Sequence, residues 1–381
     1  WADAVKGLTT GDLFEARFDR RTGTIAAVVI GLAWFTFVGG QIIAGAKLVQ
    51  VTMGVDLTLA VIASGAIVLA YTAMGGLKAV IFTDVFQMVI LMVGIVFIAV
   101  PIGLIEVGGW QGIVTHFESD PETASMVDWG AAGWGTIAEW FFAVFPVWFI
   151  SIAGMQRIIA ARDEKTARRS FLLTGVPIEW PLFAIGSTLI GMIARMLLPE
   201  ITDPEMATPM IILELLPSGI AGIVIAAYVA AVMSSADSML MGPVVIFVND
   251  IYRKRLKPEA SDRELVRVAR IAVIVFGILA IGLAYRVPNV LELILYAYTF
   301  GAAGLFFPML GLLFWRRTTA KGAYWSMLCG GGSAVIWSLA GEPFGMASSY
   351  MGWIIGLPVM VIVSLLTDHS PDENTTLFYS E

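Results

Sequence analysis

The sequence predicts an all-α polytopic membrane protein with about ten transmembrane helices. Of its 381 residues, 58% are hydrophobic and 14% are charged, whereas soluble proteins carry about 25% charged residues. Apolar runs of roughly 20 residues, the length that crosses a bilayer, recur along the whole chain. Lysine and arginine fall almost entirely on one side of these runs, as the loops on the cytoplasmic side require.

The predicted spans follow one another with short connections and leave no room for a folded soluble domain. A lead segment covers 1–22, the transmembrane domain covers 23–367, and a polar tail covers 368–381. Two segments on the outer side, 109–117 and 205–215, are expected to form short surface helices. The spans lie at about 23–48, 56–74, 77–106, 133–158, 170–197, 218–252, 264–286, 288–315, 320–340 and 345–367.

The basic residues predict the orientation of the chain. With the N-terminus inside and ten alternating spans, 20 of the 23 lysines and arginines lie on the cytoplasmic side. Only Lys47, Arg195 and Arg286 lie outside. We therefore expect a multi-pass protein of the plasma or inner membrane with a cytoplasmic lead segment and tail. Because the chain begins at Trp1 and not at Met, we also expect it to start within a longer protein.

Several classes of function are disfavoured by what the sequence lacks. A single cysteine, Cys329, excludes a disulfide framework and a cysteine metal cluster. The chain contains no GxxxxGK[ST], HExxH or GxSxG motif, which argues against P-loop, zinc-protease and serine-hydrolase chemistry. No basic patch with interleaved aromatic residues indicates nucleic acid as a partner. These absences favour a protein that is not an enzyme.

Polar residues interrupt the apolar span 218–252 at AAVMSSADSMLM, residues 230–241. Ser234, Asp237 and Ser238 share one helix face, with Ala231 and Ser235 at its edge. A carboxylate inside a bilayer costs at least about 2.5–3.5 kcal/mol, so it usually marks an ion path. Hydroxyl and carboxylate oxygens are the ligands that a hard cation such as Na⁺ prefers. A structural role stays open, because serines also join helices and a carboxyl group can be held neutral.

A second acid and two prolines also lie within predicted spans. Asp84 is in the span 77–106. Pro243 cannot donate a hydrogen bond to the carbonyl of Met239, and Pro146 leaves a free carbonyl in the same way. Irregular backbone at membrane depth is typical of transporter binding sites.

Four stretches resemble motifs of the sodium:solute symporter family. AAVMSSADS followed by NDIYRK resembles the signature helix of that family. The other three are YTAMGGLKAVIFTDVFQ at 71–87, MQRIIAARDEKTARR at 155–169 and FWRRTTAKGA at 314–323. Their order and spacing match the family across nearly the whole chain.

The resemblance implies a partial LeuT-type fold, which is an inverted repeat of five plus five helices. The span 23–48 would be the third core helix, so core helices one and two would be missing from this chain. Spans 133–158 to 288–315 would form the second repeat, and the last two spans would be peripheral.

The resemblance also implies two cation sites, with Na⁺ as the only metal ion and no other cofactor. The sodium-binding residues would be Ala231, through its carbonyl, Ser234 and Ser235. Asp84, Asp237 and Ser238 would form a second cation site. Members with this second site carry a hydroxyl where this chain has Asp237, so Asp237 would either add a sodium ligand or bind a proton.

Solute contacts in the family come partly from the third, sixth and tenth core helices. The matching pocket residues are Trp148, Ser151, Tyr296 and Tyr298. The look of the signature region is nearest to the choline and proline branches, and aromatic rings suit a quaternary ammonium. However, Ser151 stands where the choline branch has a tryptophan. The expected partner is therefore a small organic solute, either an amino acid, a quaternary ammonium or a similar compound.

The function predicted from the sequence is sodium-coupled symport of this solute by alternating access. One alternative is a proton-coupled carrier that uses Asp237, and another is a membrane relative that does not transport. An intramembrane enzyme with Asp84 and Asp237 as a catalytic pair is a third, which is disfavoured because the motifs that surround such pairs are absent. If two core helices are missing, the isolated 381-residue chain is expected not to transport.

Overall fold

The computed structural model describes residues 9–74, 85–128, 130–151, 161–368 and 378–379. Within these ranges the chain is almost entirely helical and contains no strand. We number the helices α1 to α13. They are α1 Thr10–Arg17, α2 Arg20–Met53, α3 Leu57–Met74, α4 Val85–Glu106, α5 Gly109–Glu118, α6 Gly133–Ile150, α7 Glu164–Leu197, α8 Ala207–Leu215, α9 Ser218–Lys254, α10 Asp262–Arg286, α11 Val290–Phe314, α12 Ala320–Leu339 and α13 Ser348–Leu366.

Eight of these helices are long and apolar enough to cross a membrane: α2, α4, α6, α7, α9, α10, α11 and α13. Each coincides with a predicted span. The other two predicted spans are helices as well, but α3 has a shorter apolar run, Leu57–Ala70, and α12 is absent from the apolar set. The all-α membrane architecture is confirmed, while the count of ten spans stays a prediction.

Side chains just before several helices explain where those helices begin. Asp19 accepts a hydrogen bond from the Thr22 amide at the start of α2. Asn289 does the same for Glu292 at the start of α11. Each such cap contributes about 1 kcal/mol, because it satisfies an amide that has no partner inside the helix. Gly54 ends α2 in the left-handed conformation, with φ at 65°, which glycine adopts without steric strain.

Helix α2 is the central element of the fold. Of the eight apolar helices it is the most buried, and it packs against α3, α9, α10 and α11. Glycines permit the closest approach: a Cβ added at Gly40 would lie 3.0 Å from Cγ1 of Ile294 and 3.3 Å from the carbonyl of Val290. The backbones of α2 and α11 therefore approach each other closely at Gly40.

The two short segments that were expected to be helical, 109–117 and 205–215, form helices. The first is α5, which buries Ile113 and Phe117. The second is α8, which follows a short 3₁₀ turn at Pro204–Met206. Within the described part of the predicted lead segment, Thr10–Arg17 form helix α1, and α2 begins three residues earlier than the expected span.

Candidate cation site and solute pocket

The polar stretch of α9 lies within the helix, as the sequence predicts. Ser234 is 9% exposed and Asp237 5% exposed. Ser235 and Ala231 are half-buried, and Ser238 is exposed. The hydroxyl of Ser238 donates to Oδ1 of Asp237 at 3.3 Å. The structure thus places a hydroxyl and a carboxylate, both buried and one turn apart, on a single face of an otherwise apolar helix.

The backbone of α9 becomes irregular just past this stretch. Pro243 lies inside the helix, and π-helical turns run from Ile246 to Leu256. A wider turn of this kind is rare and is often found at functional sites. The irregularity follows the candidate ligands by about two turns.

Asp84, the proposed acid of the second cation site, lies outside the described residues. The assignment of Asp84, Asp237 and Ser238 to one site therefore stays a prediction. The motif at 155–169 is described only from residue 161 onward, because residues 152–160 also lie outside the described part of the chain.

Of the four predicted pocket residues, two lie in the interior of the structure and two are exposed. Tyr298 and Ser151 are in the interior: the Tyr298 ring stacks on Phe37 with centroids 6.0 Å apart, and Ser151 is 3% exposed. Trp148 and Tyr296 are 56% and 44% exposed. The Tyr296 hydroxyl donates to Oε1 of Glu292 at 2.8 Å.

Helix α6 ends at Ser151, where the backbone becomes extended. The helix runs through Pro146 and stops one turn later, within the span predicted to reach 158. On one side of α6, Ile150 is fully buried in the apolar cluster that also holds Phe37 and Tyr298. This placement brings the backbone break at Ser151 to the edge of that cluster.

Two buried aromatic residues that pack beside Tyr298 were not singled out by the sequence reasoning. Trp34 and Phe37 lie on α2, with ring centroids 5.7 Å apart in an edge-to-face pair. Together with Tyr298 they form a continuous aromatic wall between α2 and α11. The spacing of three residues would have placed both rings on one face of α2, but aromatic residues in an apolar span carry no other distinguishing signal.

The aromatic wall also reaches α9. A Cβ at Gly242 would lie 3.7 Å from Cδ1 of Trp34. Gly242 is five residues past Asp237, or about 7.5 Å along the helix. The candidate pocket and the candidate cation face therefore share α9 as a common wall.

A second group of acids lies at the C-terminal end of α9, and a lysine lies among them. Lys254 Nζ is 3.0 Å from Oδ1 of Asp12, 2.8 Å from Oε2 of Glu15 and 3.0 Å from Oδ1 of Asp250. The three carboxylates lie close enough together to ligate a metal ion, but the ammonium group already supplies the positive charge there. This cluster is best described as an ion-pair network that joins α1 to α9.

Comparison with known proteins finds relatives of the whole chain. The model of the sodium:solute symporter family matches residues 4–330. The osmoregulated proline transporter OpuE of Bacillus subtilis is 28% identical, over 98% of this chain and 77% of its own length. The high-affinity proline transporter PutP of the same organism is 30% identical, over 98% of this chain and 79% of its own length.

Other relatives are named for pantothenate, glucose and myo-inositol. The chain spans about half the length of the sodium/glucose and sodium/myo-inositol cotransporters that it matches. Among solved structures, a Na⁺-coupled sialic acid symporter in a substrate-bound outward-open state aligns with a TM-score of 0.70 at 25% identity. The alignment covers 94% of this chain and 77% of that one.

Proposed function

We propose an ion site and a solute site for this chain. The chain belongs to the sodium:solute symporter family, and it is therefore a sodium-coupled symporter and not an enzyme. Sodium binds on the polar face of α9, and the solute binds beside it against the aromatic wall of α2 and α11. The family membership, the LeuT-like fold and the transport function expected from the sequence are confirmed. The observation that carries the proposal is the burial of Ser234 and Asp237 within an apolar helix.

The first sodium site uses the hydroxyl groups of Ser234 and Ser235 and the carbonyl of Ala231. Neutral oxygens suit a monovalent cation, because a hard ion such as Mg²⁺ or Ca²⁺ usually takes several carboxylates. The remaining ligands would come from the first core helix, which the resemblance places outside this chain.

The second cation site combines Asp237 and Ser238 with Asp84. A bound Na⁺ would offset the cost of keeping the Asp237 carboxylate ionised inside the membrane. The Ser238 hydroxyl donates to Oδ1 of Asp237, so two of the proposed ligands lie side by side. Sodium and a proton remain the two ions to be distinguished at Asp237.

The solute that fits this pocket best is a small organic molecule with a positively charged nitrogen. The aromatic wall of Trp34, Phe37 and Tyr298 can bind such a group through its ring faces. Glu292, which lies two turns from Tyr298 on α11 and bonds Tyr296, adds a carboxylate on the approach. Because two relatives are proline transporters, proline is the first solute to test, with choline as the second.

Sodium binding would drive transport by stabilising the state that is open to the outside. A ligand can shift a conformational equilibrium only by its difference in affinity for the two states. Trp34 contacts α9. An ion that orders the polar face of α9 would therefore also order the aromatic wall against which the solute binds.

The test is uptake by the full-length protein reconstituted in vesicles. We expect proline or choline to accumulate against its gradient when sodium is higher outside, and not when potassium replaces sodium. Accumulation driven by a pH gradient without sodium would contradict the proposal and support the proton-coupled alternative. Absence of accumulation of any small organic solute would support a relative that does not transport.

A further inference from the structure

A buried lysine and two acids join the outer ends of helices that are distant in sequence. Lys47, near the end of α2, is 5% exposed. Its Nζ donates to Oδ2 of Asp203 at 2.7 Å and also forms an ion pair with Oε2 of Glu205. Asp203 and Glu205 belong to the turn that precedes α8, and Oδ1 of Asp203 accepts from the amide of Glu205 at 3.0 Å.

The second oxygen of Glu205 binds a different helix. Oε1 accepts hydrogen bonds from the amides of Val290 at 2.8 Å and Leu291 at 3.1 Å, the first two residues of α11. The N-terminus of a helix carries a partial positive charge, so a carboxylate is stabilised there. One carboxylate therefore holds α2 through Lys47 and α11 through two backbone amides.

The same two helices carry the aromatic wall. Lys47 lies ten residues past Phe37 on α2, and Val290 lies eight residues before Tyr298 on α11, so the ion cluster is about 12–15 Å from the stacked rings. At Val290, the residue that Glu205 holds, Gly40 lets the backbone of α2 approach the carbonyl of α11. The helices are thus joined at two levels, by charge at the outer end and by ring stacking at mid-depth.

We propose that Glu205 is a positioning residue for transport, which together with Lys47 and Asp203 holds α11 in the register that places Tyr298 on Phe37. A slip of one residue along α11 would rotate Tyr298 by about 100° and move it by about 1.5 Å. A stacked ring pair alone is a weak restraint on such a movement, whereas a doubly bonded carboxylate fixes both the depth and the rotation of the helix end.

This inference rests on the proposed function in one respect, since it takes the aromatic wall to be part of the solute pocket. A merely structural tie would lower the stability of the protein and leave the apparent KM for solute unchanged. A positioning residue raises KM, because the pocket is misshapen in protein that is still folded.

The test compares Glu205→Gln with Glu200→Gln in the full-length protein. Glu200 is an exposed acid of the same outer loop, so its replacement controls for the loss of one outer charge. For Glu205→Gln we expect the KM for solute to rise about tenfold or more. The sodium concentration for half-maximal uptake and the maximal rate per folded protein should stay within about twofold. Glu200→Gln should match the wild type.

Lys47→Met provides a second variant that removes the same contact from the other side. It should raise KM to a similar degree, and the double variant should be no worse than either single one, because coupled residues are non-additive. Additive effects in this cycle, or a lowered melting temperature with unchanged KM, would overturn the proposal.

Hydrogen exchange separates this inference from the proposed function. Faster exchange is expected at the amides of Val290 and Leu291 in Glu205→Gln, with or without solute. If the wild type shows no sodium-driven uptake but amide exchange is faster in Glu205→Gln, the proposed function is wrong and the restraint of α11 by Glu205 is supported. If exchange at these amides is the same in both proteins, Glu205 does not restrain α11, whatever the transport data show.

Discussion

The buried oxygens of α9 are the residues on which the transport proposal depends most directly. Ser234 and Asp237 are both at least nine-tenths buried in a helix whose other buried residues are almost all apolar. In the proposed first site, a cation would take these buried oxygens as ligands.

Replacement of Ser234 by alanine removes one oxygen ligand from the first sodium site. We expect Ser234→Ala to raise the sodium concentration for half-maximal uptake by about tenfold, equivalent to about 1.4 kcal/mol. Sodium titration of solute uptake measures this. Ser187→Ala, at an exposed serine of α7 whose hydroxyl donates to the Ala184 carbonyl, should leave the sodium dependence unchanged. An equal shift in both variants would argue against the site.

Asp237 distinguishes sodium coupling from proton coupling. We expect Asp237→Asn to keep the shape of the side chain and weaken the second cation site, so that sodium affinity falls about tenfold. In sodium-free vesicles a pH gradient should drive no uptake in either the wild type or the variant. Proton-driven uptake in the wild type that Asp237→Asn abolishes would refute the sodium assignment of this residue.

At the scale of elements, the C-terminal end of α9 is held to α1 by the Lys254 network. Lys254 forms ion pairs with Asp250 of its own helix and with Asp12 and Glu15 of α1. The guanidinium of Arg20 also donates to the backbone carbonyl of Lys254. The cluster carries more negative than positive charge. Loss of the lysine would leave three carboxylates close together.

Lys254→Met should therefore destabilise the protein by about 1–3 kcal/mol. We place the effect below that of a fully buried pair because the Lys254 side chain is 33% exposed and water screens its charge. Thermal unfolding in detergent measures the change.

Lys257→Met is the matched control for this prediction. Lys257 donates to Glu264 at 2.8 Å on the exposed surface, and this hydrogen bond raises the pKa of the Lys257 ammonium. The pair stays solvated, so its removal should leave the melting temperature unchanged. Equal melting temperatures for Lys254→Met and the wild type would show that the Lys254 network does not hold α1 in place.

The contact of α2 with α11 depends on the absence of a side chain at Gly40. Gly40→Val should force the helices apart, because its Cβ would already meet Ile294 and the Val290 carbonyl. Overpacking of this kind costs about 1–3 kcal/mol, and the separation should also raise the KM for solute. Gly222→Val on α9, where nothing lies within 4 Å of the added Cβ, should be tolerated. Thermal unfolding and uptake kinetics test both variants.

For the whole molecule, the distribution of basic residues predicts which loops face the cytoplasm. In a cysteine-free background that carries Cys329→Ser, a cysteine at exposed Arg162 should react with an impermeant thiol reagent only from the inside. A cysteine at Arg286, which is also exposed, should react only from the outside. The reverse pattern would invert the topology, and labelling of both positions from one side would contradict the number of spans between them.

Particular residues show how far sequence reasoning reaches. The face shared by Ser234 and Asp237 follows from helical spacing alone, so it could be predicted. The cap at Asn289 and the surface helices α5 and α8 also follow from local sequence. Phe37 could not be singled out, because its role depends on Tyr298, which is more than 250 residues away in the chain. Glu205 was part of a predicted surface helix, but no local pattern indicates its bonds to Lys47 and Val290.

The sequence by itself determined that the chain spans a membrane, where most of its helices run and which helix carries polar oxygens. These properties depend only on the composition and residue spacing of single segments. The thickness of the bilayer sets the length of an apolar span, and the helical period sets which residues share a face. Only the tertiary structure decided that Phe37 stacks on Tyr298, that Trp34 reaches α9 and that Glu205 joins α2 to α11. Those contacts depend on which helices are neighbours and at what depth, and in an all-apolar setting many neighbours satisfy the same hydrophobic pattern. One packing is selected by a few glycines, ion pairs and aromatic rings. Each of these contacts joins residues that are distant in the chain, so the local sequence around either residue does not predict it.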